Sequence, residues 1–201
     1  MATKKKKEKK PGKNEKKTKK TDATKPAGSY EVIADGRYLR FVTRDGWECV
    51  ERKGITGIVV MAALTENDEF VLVEQHRTPV GASVIELPAG LVGDIPGEET
   101  EGFEVAARRE LVEETGYEPR ELRLLTAGPI SPGMSSESIH LYLALGLKRV
   151  SEGGGDATED ITVHTVPLAE VEQWVENRRA EGSLADPKIY AGLYFARKAR
   201  A

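Results

Sequence analysis

Three glutamates, Glu110, Glu113 and Glu114, stand at i, i+3 and i+4 within a segment that reads as a helix over residues 103–115. At that spacing their side chains point roughly the same way, and like charges so placed oppose helix formation by roughly a few tenths of a kcal/mol per pair. A divalent cation reverses that penalty. Mg²⁺ in particular takes a few carboxylates together with water and phosphate oxygens, so the spacing suits a metal that bridges protein and phosphate. A solvated acidic helix face, with Arg108 and Arg109 as local ion-pair partners, fits the same spacing. Spacing alone leaves both readings open.

Other residues could serve the same chemistry. Arg77 carries a planar fork able to hold phosphate in a bidentate grip; an ordinary surface ion pair is the alternative. Glu86 either touches substrate or metal-bound water, or simply ends a strand. His76 has no evident partner and reads as a packing or hydrogen-bonding residue. Glu137 sits in a loop, residues 126–138, holding two Pro, two Gly and four Ser. Irregular loops of that length are often functional.

The elements that must position these groups follow from pattern. Residues 38–43 and 47–52 read as strands joined by a turn at Arg44-Asp45-Gly46. Residues 54–63 form a β-rich apolar run, and a turn at Asn67-Asp68 leads to a strand over 70–75. A short apolar piece, 84–87, ends at Pro88. Four Gly and one Pro mark 90–102 as a loop. In the helix that follows, Phe103, Ala106, Ala107, Leu111 and Val112 make an apolar side, and Gly116 suits the position that ends it. Strands are expected over 122–126, 139–147 and 161–166, and helices over 168–181 and 187–198. No internal repeat is present. Strands, a helix, strands and then helices predict an α/β fold with helices packed on a mixed sheet.

Charge divides the chain. Residues 1–27 hold twelve Lys against three acids; the remainder holds 18 basic against 30 acidic residues. A segment so poor in apolar residues cannot offset its ordering entropy, so 1–27 is expected to be disordered and 28–201 to form one domain. Twelve Lys without an aromatic suit either a solubilising extension or non-specific contact with nucleic acid. Cys49 is the sole cysteine, so a disulfide framework within the chain is excluded, which fits a reducing, cytoplasmic setting. The basic start lacks an apolar core of the secretory kind, and no run of about 18 apolar residues suggests a membrane span.

Residues Arg109-Glu110-Leu111-Val112-Glu113-Glu114-Thr115-Gly116-Tyr117 resemble the second half of the Nudix box, Gly-x5-Glu-x7-Arg-Glu-U-x-Glu-Glu-x-Gly-U, at every fixed position. The first half is longer than the pattern. Counting back from Arg109 reaches Glu101, but the box glycine would then fall on Ile95. Gly90 is the more natural glycine, with Glu98 as the first acid, so Glu98, Glu99 and Glu101 all stand as candidates for the first glutamate. The resemblance implies a Nudix-type α/β/α sandwich with a mixed sheet, preceded by a small antiparallel N-terminal sheet. It implies that Glu110, Glu113 and Glu114 are metal ligands, and that Arg109 orients them through hydrogen bonds.

Three further segments are similar to the ADP-ribose pyrophosphatase branch. Glu74-Gln75-His76-Arg77 resembles its Glu-Gln-Tyr-Arg. Glu86-Leu87-Pro88-Ala89-Gly90 matches its Glu-Leu-Pro-Ala-Gly, where the carbonyl at Ala89 would be a metal ligand. Pro132 stands 16 residues beyond Gly116, as in members that cleave ADP-ribose. The branch further implies Glu137 as general base, Mg²⁺ with Mn²⁺ as an alternative cofactor, and hydrolysis of ADP-ribose to AMP and ribose 5-phosphate. It also implies a homodimer exchanging residues 30–53, with Trp47 or Tyr30 stacking on adenine. Hydrolysis of another nucleoside diphosphate derivative, such as GDP-mannose, and a non-cleaving ADP-ribose-binding module are the competing expectations.

Overall fold

The computed structural model describes residues 28–155 and 159–200; the expectations for 1–27 lie outside the described residues. In chain order the elements are β1 (Tyr30–Asp35), β2 (Leu39–Arg44), β3 (Trp47–Arg52), β4 (Gly57–Leu64), β5 (Glu69–Arg77), β6 (Ala82–Glu86) and β7 (Ala89–Val92). Helix α1 (Phe103–Thr115) follows, then β8 (Tyr117–Glu118), β9 (Glu121–Pro129), β10 (Ser138–Leu145), β11 (Lys148–Arg149) and β12 (Thr162–Pro167). The chain ends with α2 (Val171–Ala180), β13 (Leu184–Ala185) and α3 (Lys188–Arg200).

Strands β1–β3 form a separate antiparallel sheet. Asp45 and Gly46 both take positive φ in the β2–β3 turn, as a two-residue hairpin turn requires. Strand β1 escapes a pattern reading because it is exposed along its whole length and so has no buried face to reveal it.

The apolar run at β4 has a simple cause: it is buried on both faces, which removes the usual alternation. Val59, Met61 and Ala63 turn to one side and pack under α1 with Ala106, Ala107 and Leu111. Val60, Ala62 and Leu64 turn to the other, where Val171 and Val175 of α2 and Ile189 and Leu193 of α3 cover them. The result is the expected α/β/α sandwich around a mixed sheet.

Strand pairing opens a cleft in this sheet. Strand β10 runs parallel to β4 along one edge and antiparallel to β9 on its other side. On its second edge, β4 meets β5 at Ala63–Val71 and Leu64–Phe70. The two then part. Strand β7 takes the freed edge of β4, from Gly57–Val92 to Val60–Ala89, while β5 continues beside β6. The stretch 90–102 is therefore not all loop, as its glycines suggest. Its first residues are strand, because Gly90 serves close packing rather than a turn.

Candidate active site

Helix α1 is placed by its apolar side, with Ala106, Ala107 and Leu111 fully buried. It stops at Gly116, whose φ of 75° lets its N–H return to the Val112 carbonyl at 2.9 Å. The buried side of this helix also turns two of the three glutamates inward. Glu114 is 3% exposed and accepts a hydrogen bond from the Ala89 N–H at 2.9 Å. The Glu110 carboxyl lies against the backbone of Gly90: a Cβ there would sit 1.9 Å from its Cδ. Burial pushes Glu110 up to about 7, although the Arg109 charge and hydrogen bond pull it back. Burial pushes Glu114 up to about 8 against the hydrogen bond from Ala89. Glu113 stays half exposed.

Arg109 ties this wall together. Its Nε and Nη2 donate to the two Glu101 oxygens, each at 3.0 Å. Its Nη1 donates to Glu110 at 2.9 Å and Glu113 at 3.1 Å, and its Nη2 to the Leu91 carbonyl at 3.2 Å. The hydrogen bonds from Arg109 hold the Glu101 carboxyl below the usual range. Of the three candidates for the first box glutamate, Glu101 is thus the one that meets Arg109. Glu98 is exposed, and Glu99 accepts from the Gly97 N–H at 3.0 Å. Ten residues separate Gly90 from Glu101, against five in the box pattern.

The facing walls come from distant parts of the chain. Arg77, at the end of β5, donates through Nε to Glu86 at 2.6 Å; its terminal nitrogens have no protein partner among the described residues. Glu137 accepts from the Arg52 Nε at 2.7 Å. Together these walls and Ala89 enclose a cleft of about 600 Å³, within the range of small-ligand sites. Lys188, the first residue of α3, also lines it, held by an ion pair to Asp186. Sequence reasoning missed Arg52 and Lys188. No local signal marks either one: Arg52 meets Glu137 across 85 positions, and Lys188 arrives only because β13 pairs with β6. His76 is exposed on β5. Tyr30 and Trp47 lie outside the cleft lining of the single chain; the Trp47 Nε1 donates to the Gly133 carbonyl at 3.1 Å.

The donors here suit a hard divalent cation. They are all oxygen, and two are carboxylates, one buried and one largely so, that desolvation drives toward neutrality, so an adjacent cation would restore their charge. Among the described residues no three acidic, His or Cys side chains are grouped as a ready ligand set. Arg109 instead bridges Glu110 and Glu113, and Glu114 is turned onto the Ala89 N–H.

Comparison with known proteins agrees with this geometry. The family model described as NUDIX domain matches residues 55–189. The chain is 39% identical over 124 residues to a methanol dehydrogenase activator of Bacillus methanolicus. It is 36% identical over 123 residues to an ADP-ribose pyrophosphatase of Bacillus subtilis strain 168. Each alignment covers 61% of this chain and 64% of the relative, so the chain spans less than two thirds of either relative's length. A crystal structure of an ADP compounds hydrolase shares the fold, with a TM-score of 0.61 and 22% identity over 85% of this chain and 90% of that one.

Proposed function

The chain belongs to the Nudix family, and from that premise we propose that it hydrolyses the diphosphate bond of a nucleoside diphosphate sugar, ADP-ribose foremost. The products are AMP and ribose 5-phosphate. The observation that carries this reading is the cleft itself, where Glu110 and the buried Glu114 share the lining with Arg77 and Glu137.

In this proposal Glu110, Glu113, Glu114 and the Ala89 carbonyl would hold Mg²⁺, or Mn²⁺ in its place. A divalent cation there supplies neutralisation of the diphosphate and acidification of water. The remaining work belongs to the chain. Arg109 holds the glutamates in orientation. Arg77 offers its terminal nitrogens to a phosphate while Glu86 fixes its Nε. Glu137 takes the proton of the attacking water. A homodimer belongs to the same reading: Tyr30, Val32, Ile33, Tyr38, Leu39 and Trp47 leave the N-terminal sheet with a broad apolar exposure in the single chain.

The test is incubation of the purified protein with Mg²⁺ and a panel that includes ADP-ribose and GDP-mannose, with products identified by chromatography. AMP and ribose 5-phosphate from ADP-ribose are expected. Faster turnover of GDP-mannose would move the assignment to that substrate. Tight binding of ADP-ribose without cleavage would replace the enzyme by a binding module.

A further inference from the structure

We propose that Arg52, at the end of β3, is the positioning residue for Glu137. The inference rests on the reading of Glu137 as proton acceptor.

Residues 130–137 connect β9 to β10, and the connection is closed at its base by the Pro129–Ser138 pair. Such a segment, rich in Pro, Gly and Ser, does not fix its own shape, since ordering each residue costs conformational entropy that local contacts must offset. Strand β3 supplies what is missing. One edge of β3 pairs with β2; the other takes up the loop. The Val50 N–H donates to the Met134 carbonyl at 2.8 Å, and the Ser136 N–H donates to the Val50 carbonyl at 3.3 Å. Trp47 adds its bond to the Gly133 carbonyl at 3.1 Å.

This register determines where Arg52 arrives. Val50 and Arg52 share one face of the strand, so the residue that pins the loop backbone brings Arg52 to the loop's last side chain. A slip by one residue would turn Arg52 to the opposite face. The 2.7 Å charge-assisted bond takes Oε1 of Glu137. Oε2 has no protein partner among the described residues and is left to accept a proton in the cleft, which Arg52 and Glu137 both line. The family model begins at residue 55, so β3 falls outside it, yet the acceptor is held from β3.

The experiment is steady-state hydrolysis of ADP-ribose with Mg²⁺ by the full chain, comparing Arg52→Ala, Arg52→Lys, Glu137→Gln and the double variant Arg52→Ala/Glu137→Gln. A misplaced catalytic group costs up to about a hundredfold. Arg52→Ala is therefore expected to lower kcat about 10–100-fold with KM changed less than about threefold. Arg52→Lys should recover most of the loss. The double variant should be no slower than Glu137→Gln alone, because Arg52 acts through Glu137. Amide hydrogen exchange over 130–137 should quicken in Arg52→Ala, a readout independent of turnover. Arg40→Ala, which breaks an ion pair with Asp35 on the same sheet away from the loop, should keep the full rate. A raised KM at unchanged kcat in Arg52→Ala, or losses that simply multiply in the double variant, would overturn the proposal for Arg52 while leaving Glu137 in place. An unaltered kcat in Glu137→Gln would instead remove the acceptor reading and this inference with it.

Discussion

Gly90 lacks a side chain at the point where the Glu110 carboxyl occupies the space a Cβ would take. One glycine thus sets the approach of a strand to a buried acid. If Glu110 and Glu114 hold the divalent cation, Glu110→Gln and Glu114→Gln each remove a ligand charge, and kcat should fall at least about a hundredfold. Gly90→Ala should produce a loss of the same order with every carboxylate retained, because the new methyl group must displace Glu110. The two Gln variants should stay folded, since burial already disfavours the charges they remove. Thermal melting provides a second readout. Mg²⁺ should raise the Tm of the parent protein by mass action, and Glu114→Gln should lose most of that rise. Near-parental turnover in both Gln variants would end the metal-ligand assignment. Full activity in Gly90→Ala would show that Glu110 has freedom the packing denies it.

Between elements, a carboxylate with three side-chain partners is Glu74 on β5. It accepts from the Ser183 hydroxyl at 2.6 Å, from the Arg178 Nη2 of α2 at 2.7 Å, and lies 3.0 Å from the His164 Nε2 of β12. A single side chain thereby fastens a strand, its neighbour and a helix. Burial pushes its carboxyl up, but the bonds from Ser183, Arg178 and His164 outweigh burial and hold it below its ordinary 4.5. A depressed folded value means that the unfolded chain takes up the proton first as pH falls. The stabilisation is complete above 4.5 and drains away as pH drops through the folded value. Glu74→Gln should therefore cost about 1–3 kcal/mol at neutral pH, and the gap should close on acidification. Urea unfolding of both proteins from about pH 7 to about pH 3 measures this; a gap that does not vary with pH would refute the network as the source. Legibility in the sequence follows the same division. Helix α1 is readable to its final residue and strand β3 to both ends, because periodicity and capping are written within each element. Strand β7 is not, since the glycine that argues for a loop answers to Glu110 on a helix. The choice among Glu98, Glu99 and Glu101 needed the position of Arg109. The pairing of Arg52 with Glu137, and the network at Glu74, depend on which elements meet, and no local pattern records that.

For the molecule as a whole, the uneven charge sets an electrostatic problem. The body beyond residue 27 carries 30 acidic against 18 basic residues, and its cleft cations are already engaged: Arg52 by Glu137, Arg77 by Glu86, Arg109 by Glu101 and Lys188 by Asp186. A diphosphate bound there, as proposed, would meet little free positive charge from the protein alone, which fits the proposed divalent cation. The twelve Lys of residues 1–27 carry positive charge, and the composition of that segment offers almost no apolar surface to bury against the body. Deleting residues 1–27 should leave Tm and kcat/KM nearly unchanged at about 0.15 M salt, where the screening length is about 8 Å and long-range steering by the segment is weak. What the deletion should remove is affinity for polyanions. The full chain should be retained on immobilised DNA at low salt and released as salt rises, because neutralising phosphates frees counterions. The shortened chain, with its acidic balance, should pass through. A drop in Tm of more than about 5 °C on deletion, which corresponds to roughly 1–2 kcal/mol for a domain of this size, would show that the segment packs on the body. Equal retention of both chains would place the polyanion contact on the body instead.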